Sequence, residues 1–327
     1  MWEGKLSTVL LTGCTGFIGS KLTIRLLEKG HEIYALVRHV TKRDLTILGE
    51  AVDRIRFIEG DLADYHSLES AIEASSPNVV VHLAAITPVR LSFEDPFPFI
   101  RVNFVGTCNL IHALLERAPK SRLVAATSAE VYGWQPREPV KETARLCPSS
   151  PYGVSKAAAD EYIQMAMRVY GLKATVLRCD NTYGRTGENR FFVEYVISSM
   201  LKGEQTYVGT PSSIRDYMYV DDHVSAYLLA IENKEADGNV FNVSPGNPVS
   251  NIEVAKRIAS FLGTRGRIVE GSYPPGYSMR PGTVDTDYIV LDSSAIRAKL
   301  GWKPTVTLDE GLKRTIELWK RIKNGQS

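Results

Sequence analysis

Cysteine is scarce and scattered in this chain: Cys14, Cys108, Cys147 and Cys179 are the only four in 327 residues, and none form a CxxC pair. That spacing offers neither a disulfide framework nor a thiolate metal cage, and reads instead as reduced thiols in a cytoplasmic protein. The six histidines show no HxxxH spacing, so no metal is expected. A charge of one sign is lacking too, with 39 basic residues against 37 acidic ones and a net charge of +2. Such a balance gives no electrostatic reason to expect nucleic acid or an anionic membrane as a partner. Long apolar runs are also missing. Near the N-terminus, Val9–Leu11 is followed at once by Thr12 and Gly13, which is too short for a secretory signal, and no segment approaches a membrane span.

What remains is the composition of an ordinary folded protein, 44% hydrophobic and 23% charged, in a chain long enough for one large α/β unit and a smaller companion region. The pattern predicts a short buried strand at 8–12, then a helix over 17–29. In that helix Ile18, Leu22 and Leu26 share a face, and Gly30 sits where a helix-ending glycine belongs. Further strands are predicted at 32–37, 55–58, 79–83, 122–126 and 174–178, with helices over 103–116 and 152–170. Strands alternating with helices at this spacing argue for an α/β fold with a parallel sheet covered on both faces. Beyond Asp180 the rhythm breaks into turn-rich pieces at 181–187, 209–213, 244–248 and 273–281. These belong to a region set against the C-terminal edge of the sheet, where ligands of open α/β sheets bind.

The segment Gly13-Cys14-Thr15-Gly16-Phe17-Ile18-Gly19 follows the first strand and opens the first helix. Glycines there let the backbone approach a pyrophosphate, and the helix start offers unpaired N–H groups to the anion. The spacing is GxxGxxG rather than the commoner GxGxxG. The plainer alternative is a structural strand–helix turn, but the strand–turn–helix context favours a dinucleotide. The second strand runs Leu36-Val37-Arg38, with Lys42 and Arg43 soon after. No carboxylate is present to take a free ribose 2′-hydroxyl. Arg38 can pair with a 2′-phosphate, which favours NADP over NAD, although a solvated arginine at a strand end is common.

Tyr152 and Lys156 stand four apart at a predicted helix start and share a face. An ammonium beside the phenol is expected to lower its pKa toward a value useful for acid–base work. Upstream, just past an apolar strand, Ser128 offers a hydroxyl to a substrate oxygen and Glu130 a carboxylate.

Taken together these residues resemble the extended short-chain dehydrogenases/reductases, the NAD-dependent epimerase/dehydratase family. The resemblance spans nearly the whole chain. It rests on Thr12–Gly19, Gly60-Asp61-Leu62, His82-Leu83-Ala84-Ala85, Asn103 with Gly106-Thr107, and Ser128–Gly133. It continues through Tyr152 with Lys156, Arg178 with Asn181, Arg215-Asp216 before Tyr219-Val220-Asp221, and Leu300–Pro304. The resemblance implies a Rossmann-type doubly wound sheet over 1–180. Residues 181–327 would be mainly a region for a nucleotide-linked sugar, with some segments returning to the first domain. It implies Tyr152 as acid–base, Lys156 as its partner at the nicotinamide ribose, and Ser128 as the hydroxyl on the reacting sugar oxygen. Gly13, Thr15, Gly16, Phe17, Ile18 and Gly19 would cradle the pyrophosphate. Asp61 and Leu62 would border the adenine, and Leu83, Ala84 and Ala85 would line the cofactor channel. Thr87, Asn181, Arg215 and Arg280, with Ser128, would hold the substrate.

The family's common first step moves a hydride from sugar C4 to the nicotinamide, leaving a 4-keto sugar. In its 4,6-dehydratases a Glu then removes the C5 proton, usually beside an Asp. Here Glu130 is present but Ala129 stands where that Asp often does. Dehydratase-type chemistry is therefore set slightly ahead of NADPH-dependent 4-keto reduction and of 4-epimerisation. A non-catalytic, NADP-sensing protein is the alternative of another class, and the presence of Ser128, Tyr152 and Lys156 speaks against it. His82 is read as a satisfied core histidine rather than a general base, and Cys14 as a space-filler rather than an activated thiol. The predicted helices 103–116 and 152–170 resemble those that form a four-helix dimer contact in the family, so a homodimer is expected.

Overall fold

The computed structural model describes residues 6–39, 45–136, 139–264, 267–276 and 287–324. Six strands, β1 (Thr8–Thr12), β2 (Glu32–Val37), β3 (Ile55–Glu59), β4 (Val79–His82), β5 (Arg122–Ser128) and β6 (Lys173–Cys179), pair in parallel in the order 3-2-1-4-5-6. A seventh strand, Asn239–Val243, adds to β6, also in parallel. Their apolar runs are nearly continuous because both faces are buried. Along β1, Val9 and Leu11 join one apolar cluster while Leu10, pointing the other way, joins a second.

Helix α1 (Phe17–Glu28) covers the first face with Leu22 and Leu26, beside Val220–Glu232 with Val224 and Ile231. The second face takes Leu68 and Ile72 of Tyr65–Ser75, Leu110 and Leu114 of Gly106–Arg117, and Ile163 and Ala166 of Pro151–Tyr170. This is the doubly wound, Rossmann-type sheet that the sequence predicts.

Two boundaries differ from expectation by more than one residue. The helix predicted from Asn103 begins as a wide π-type turn, Ile100–Val105, and becomes regular at Gly106. There the absence of a side chain matters, since a Cβ on Gly106 would stand 2.7 Å from Cβ of Leu62. Strand β5 runs past the predicted Ala126 to Ser128. Apolar periodicity hides this extension because Thr127 is polar, and its Oγ1 donates to buried Asp160 Oδ2 at 2.9 Å.

The second half holds short sheets, Asn181–Tyr183 with Tyr217–Tyr219 and a three-stranded set of Val249–Ser250, Ile214–Arg215 and Tyr288–Ile289. Helices Phe192–Lys202, Asn251–Leu262 and Leu308–Lys323 accompany them. The strand Asn239–Val243 is the sheet's edge, and helix Val220–Glu232 lies on its face. Trp302, only 1% exposed, anchors the chain where it turns into its last segment, its Nε1 donating to Asp222 O at 3.1 Å. Among the described residues no helix is long and apolar enough to cross a membrane.

Candidate functional site

Strand order reverses between β1 and β4, and the glycine loop lies over that point. Gly13 has φ +82° and packs so closely on the next strand that a Cβ would sit 2.7 Å from Ala84 N. Gly19, in the first turn of α1, faces the loop's own backbone, and a Cβ there would sit 2.0 Å from Gly13 O. Gly16 is the N-cap of α1 and supplies no side-chain cap, so the helix start keeps its N–H groups for another acceptor. Thr15, Phe17 and Ile18 lie half-buried around it. The residues present thus form a cradle fit for the diphosphate of a dinucleotide. Leu83, Ala84 and Ala85 follow β4 beside it, and Thr87 is exposed just beyond.

Arg38 is exposed directly after β2; Lys42 and Arg43 lie outside the described residues. Asp61 closes the turn after β3, its Oδ1 accepting Ala63 N–H at 2.8 Å, and Leu62 is buried against the helix at Gly106. Cys14 is fully buried and its thiol is pushed up to about 12 by that burial, so it fills space under the loop.

The hydroxyl, phenol and amine come together at the end of β5. Ser128 is the last residue of that strand and caps the short turn Ala129–Val131, with Glu130 N–H donating to its Oγ at 3.2 Å. Ser150 caps helix Pro151–Tyr170 by accepting Gly153 N–H at 3.0 Å, so Tyr152 and Lys156 fall in the first two turns. Gly153 allows this close approach, because a Cβ would stand 2.8 Å from Glu130 O.

The Tyr152 phenol is pushed up to about 12 by burial, drawn down by its hydrogen bond with Ser128, and raised again by the charge of Glu130. The Lys156 ammonium is lowered to about 8 by burial, against the attraction of Asp160. The expected lowering of the phenol by the lysine is therefore corrected. Burial is the largest influence on the phenol, and the Lys156 Nζ donates to Ala126 O at 2.6 Å.

A polar network that sequence reading missed holds this group to the loop. Thr107 Oγ1 donates to Asn103 O at 2.6 Å, so it accepts from His82 Nε2–H at 2.9 Å. His82 Nδ1 then accepts from Thr12 Oγ1 at 2.9 Å, and Thr12 Oγ1 in turn accepts Ala84 N–H at 3.2 Å. Both ring nitrogens are used and burial lowers the imidazole to about 3, so His82 is the satisfied core histidine the sequence suggested. Asn103 carries the network onward, with Nδ2 donating to Ser155 Oγ at 3.0 Å and Ser155 Oγ donating to Tyr152 O at 2.7 Å. The GT pair and the lone Asn were visible in the sequence, but no spacing showed that they meet across the sheet.

Asn181 begins the short strand after β6 and is half-buried. Arg215 is 6% exposed on Ile214–Arg215, its Nη1 donating to Ile214 O at 2.8 Å. Arg280 lies outside the described residues.

The parallel order, the glycine cradle at its reversal and the Ser–Tyr–Lys group define an extended short-chain dehydrogenase/reductase. A family model described as GDP-mannose 4,6 dehydratase matches residues 10–315, and the chain belongs to that family of nucleotide-sugar enzymes. It is 31% identical to a dTDP-glucose 4,6-dehydratase of Neisseria meningitidis over 97% of this chain and 96% of that protein. It superposes on a UDP-glucose 4-epimerase from Thermotoga maritima, solved with UDP-glucose, with TM-score 0.85 and 31% identity, over 96% of this chain and 99% of that one. A dTDP-glucose 4,6-dehydratase from Streptomyces venezuelae with NAD bound gives TM-score 0.84 and 26% identity, over 97% of this chain and 98% of that chain.

Proposed function

We propose that this enzyme binds NADP(H) and acts on a nucleoside-diphosphate sugar through a 4-keto intermediate, with dehydration as its reaction. Glu130 carries the reading. Its charge bears on the Tyr152 phenol and its backbone is fixed by Ser128, so a carboxylate stands beside the group that handles the C4 hydroxyl. A bound nicotinamide dinucleotide supplies the hydride acceptor. Tyr152 takes the hydroxyl proton, Ser128 orients the same oxygen, and Lys156 holds its charge next to them. Glu130 removes the C5 proton that a ketone at C4 has made acidic and gives it to the C6 oxygen, whose bond to C6 breaks as water leaves. After that C6 would take back the hydride and C5 the proton held by Tyr152. Gly13, Thr15, Gly16, Phe17, Ile18 and Gly19 hold the dinucleotide diphosphate. Arg38 reaches the adenosine 2′-phosphate, Asp61 and Leu62 border the adenine, and Leu83, Ala84 and Ala85 line the channel. Thr87, Asn181, Arg215 and Arg280 hold the sugar nucleotide.

Arg38, exposed directly after β2, supports NADP, since its guanidinium can pair with a 2′-phosphate; the NAD in the dehydratase neighbour supports the other cofactor. Epimerisation at C4 is the second reading, favoured by the likeness to the Thermotoga epimerase. In this reading the first domain spans 1–180 and the substrate region 181–327. The protein works in the cytoplasm, where its free thiols stay reduced, as a homodimer. Val105, Val154 and Val169, with Ile100 and the 77% exposed Phe97 just before the first of them, leave apolar surface along the helices such a dimer would join.

Incubation with UDP-, dTDP-, GDP- and CDP-sugars and either dinucleotide, followed by mass spectrometry, tests all of this. Loss of one water supports dehydration. Gain of two hydrogens with NADPH means reduction, unchanged mass with altered chromatography means epimerisation, and no product from any sugar defeats the enzymatic reading.

A further inference from the structure

Behind Asn181 and Arg215 lie two buried acids joined by one hydroxyl. Asp180 follows β6, Asp216 stands between strands Ile214–Arg215 and Tyr217–Tyr219, and Ser244 follows the edge strand. Their exposures are 5%, 0% and 0%. Ser244 Oγ lies 2.6 Å from Asp216 Oδ2 and 3.1 Å from Asp180 Oδ2.

A serine hydroxyl carries one proton and can satisfy only one carboxylate oxygen; the other contact requires a proton from the acid. Asp216 is the natural anion, since Gly246 N–H donates to Oδ2 and Asn247 N–H donates to Oδ1 at 3.2 Å. Apart from Ser244, the donor to Asp180 among the described residues is Asn181 N–H, at 2.8 Å on Oδ1, which leaves Oδ2 to donate to Ser244. Neither acid has an ion-pair partner among the described residues. We propose that Asp180 and Asp216 hold one proton between them through Ser244, with Asp180 the neutral member, and that this pair positions Asn181 and Arg215 for the substrate diphosphate. The positioning rests on the reading of those two residues as substrate contacts.

The charged and titratable groups around the pair are Arg215 and Cys179 next to it in the chain, Arg297 from helix Ser294–Leu300, and Tyr288. Burial, then the neighbouring Asp216, pushes Asp180 well above its ordinary value; burial raises Asp216 against the donors from Ser244, Gly246 and Asn247. Ser244 is itself fixed, its N–H donating to Ser293 Oγ and its carbonyl accepting from the same hydroxyl, both at 2.8 Å.

The variant Asp180→Asn is neutral at every pH, and its amide reproduces both bonds, donating to Ser244 and accepting from Asn181. An acid whose folded pKa is raised binds more proton folded than unfolded, so stability falls as pH climbs from the ordinary value of 3.8 toward the folded one. Melting temperatures of Asp180→Asn and wild type should therefore coincide at low pH and diverge in favour of the variant as pH rises. Infrared difference spectra of the full chain with 13C-labelled aspartate should show a protonated carboxyl near neutral pH that Asp180→Asn abolishes. A melting difference flat in pH with no such band overturns the shared proton. For the positioning, UDP and dTDP are titrated against Ser244→Ala, which should bind at least tenfold more weakly while Asp180→Asn binds as wild type does. Equal binding by Ser244→Ala overturns it. Wild-type protein that binds neither nucleotide defeats the positioning along with the substrate reading, and the infrared and melting results still decide the proton.

Discussion

Asp160, one helical turn after Lys156, is gripped by both arms of Arg178, with Nε at 2.9 Å from Oδ2 and Nη2 at 2.7 Å from Oδ1. The Arg178 side chain is 3% exposed and that of Asp160 0%. Thr127 and Gln164 also donate to Asp160, and Arg178 Nη1 reaches Tyr132 Oη at 2.8 Å. The pair ties helix Pro151–Tyr170 to strands β5 and β6, and so fixes where Lys156 stands.

Removing one partner leaves the other as an unpaired buried charge, which costs about 3–5 kcal/mol. Arg178→Met is expected to lower unfolding free energy by about that amount in urea titrations. A loss below about 1 kcal/mol would mean the pair is solvated.

Tyr152→Phe keeps the ring and its edge-on packing against Phe99 but removes the hydroxyl proposed as the acid–base. Turnover is expected to drop by at least about a hundredfold, with dinucleotide affinity unchanged in equilibrium titration. Activity within about tenfold of wild type would remove Tyr152 from the proton-transfer role.

Burial holds the Lys156 ammonium near 8, so its charge is present below that pH and lost above it. In stability the sign runs the other way. The folded state gives up this proton more readily than the unfolded chain, so the penalty of burying the charge is full below about 8 and disappears as pH rises through the ordinary 10.5. The alkaline limb of kcat/KM should move upward in Lys156→Arg, whose side chain does not titrate in that range. An unmoved limb assigns it to another group.

Gly19→Ala places a methyl group 2.0 Å from Gly13 O, which the loop can accept only by opening. Dinucleotide affinity should fall at least tenfold, read by calorimetric titration. Unaltered affinity would mean the loop does not hold the diphosphate.

Much of the site was legible because its parts are local. The glycine loop, the Tyr152–Lys156 pair and Ser128 each lie within a few residues of one strand end or helix start, where backbone geometry follows from spacing. The phenol's acidity was misjudged for a different reason. Spacing puts Lys156 on the same helix face, but it does not show that Ala126 O captures the ammonium or that the ring is buried. The link from Thr12 through His82, Thr107 and Asn103 to Ser155 was likewise hidden, since it joins residues up to 70 positions apart.

The sequence by itself determined the alternation of strands and helices, the parallel sheet and the cradle at its reversal, because apolar period and glycine placement act over short stretches of chain. Tertiary structure alone decided which polar groups share a proton or a charge, such as Asp180 with Asp216 and Asp160 with Arg178. Those pairings depend on strands brought together across the sheet and on how much water the packing leaves beside them.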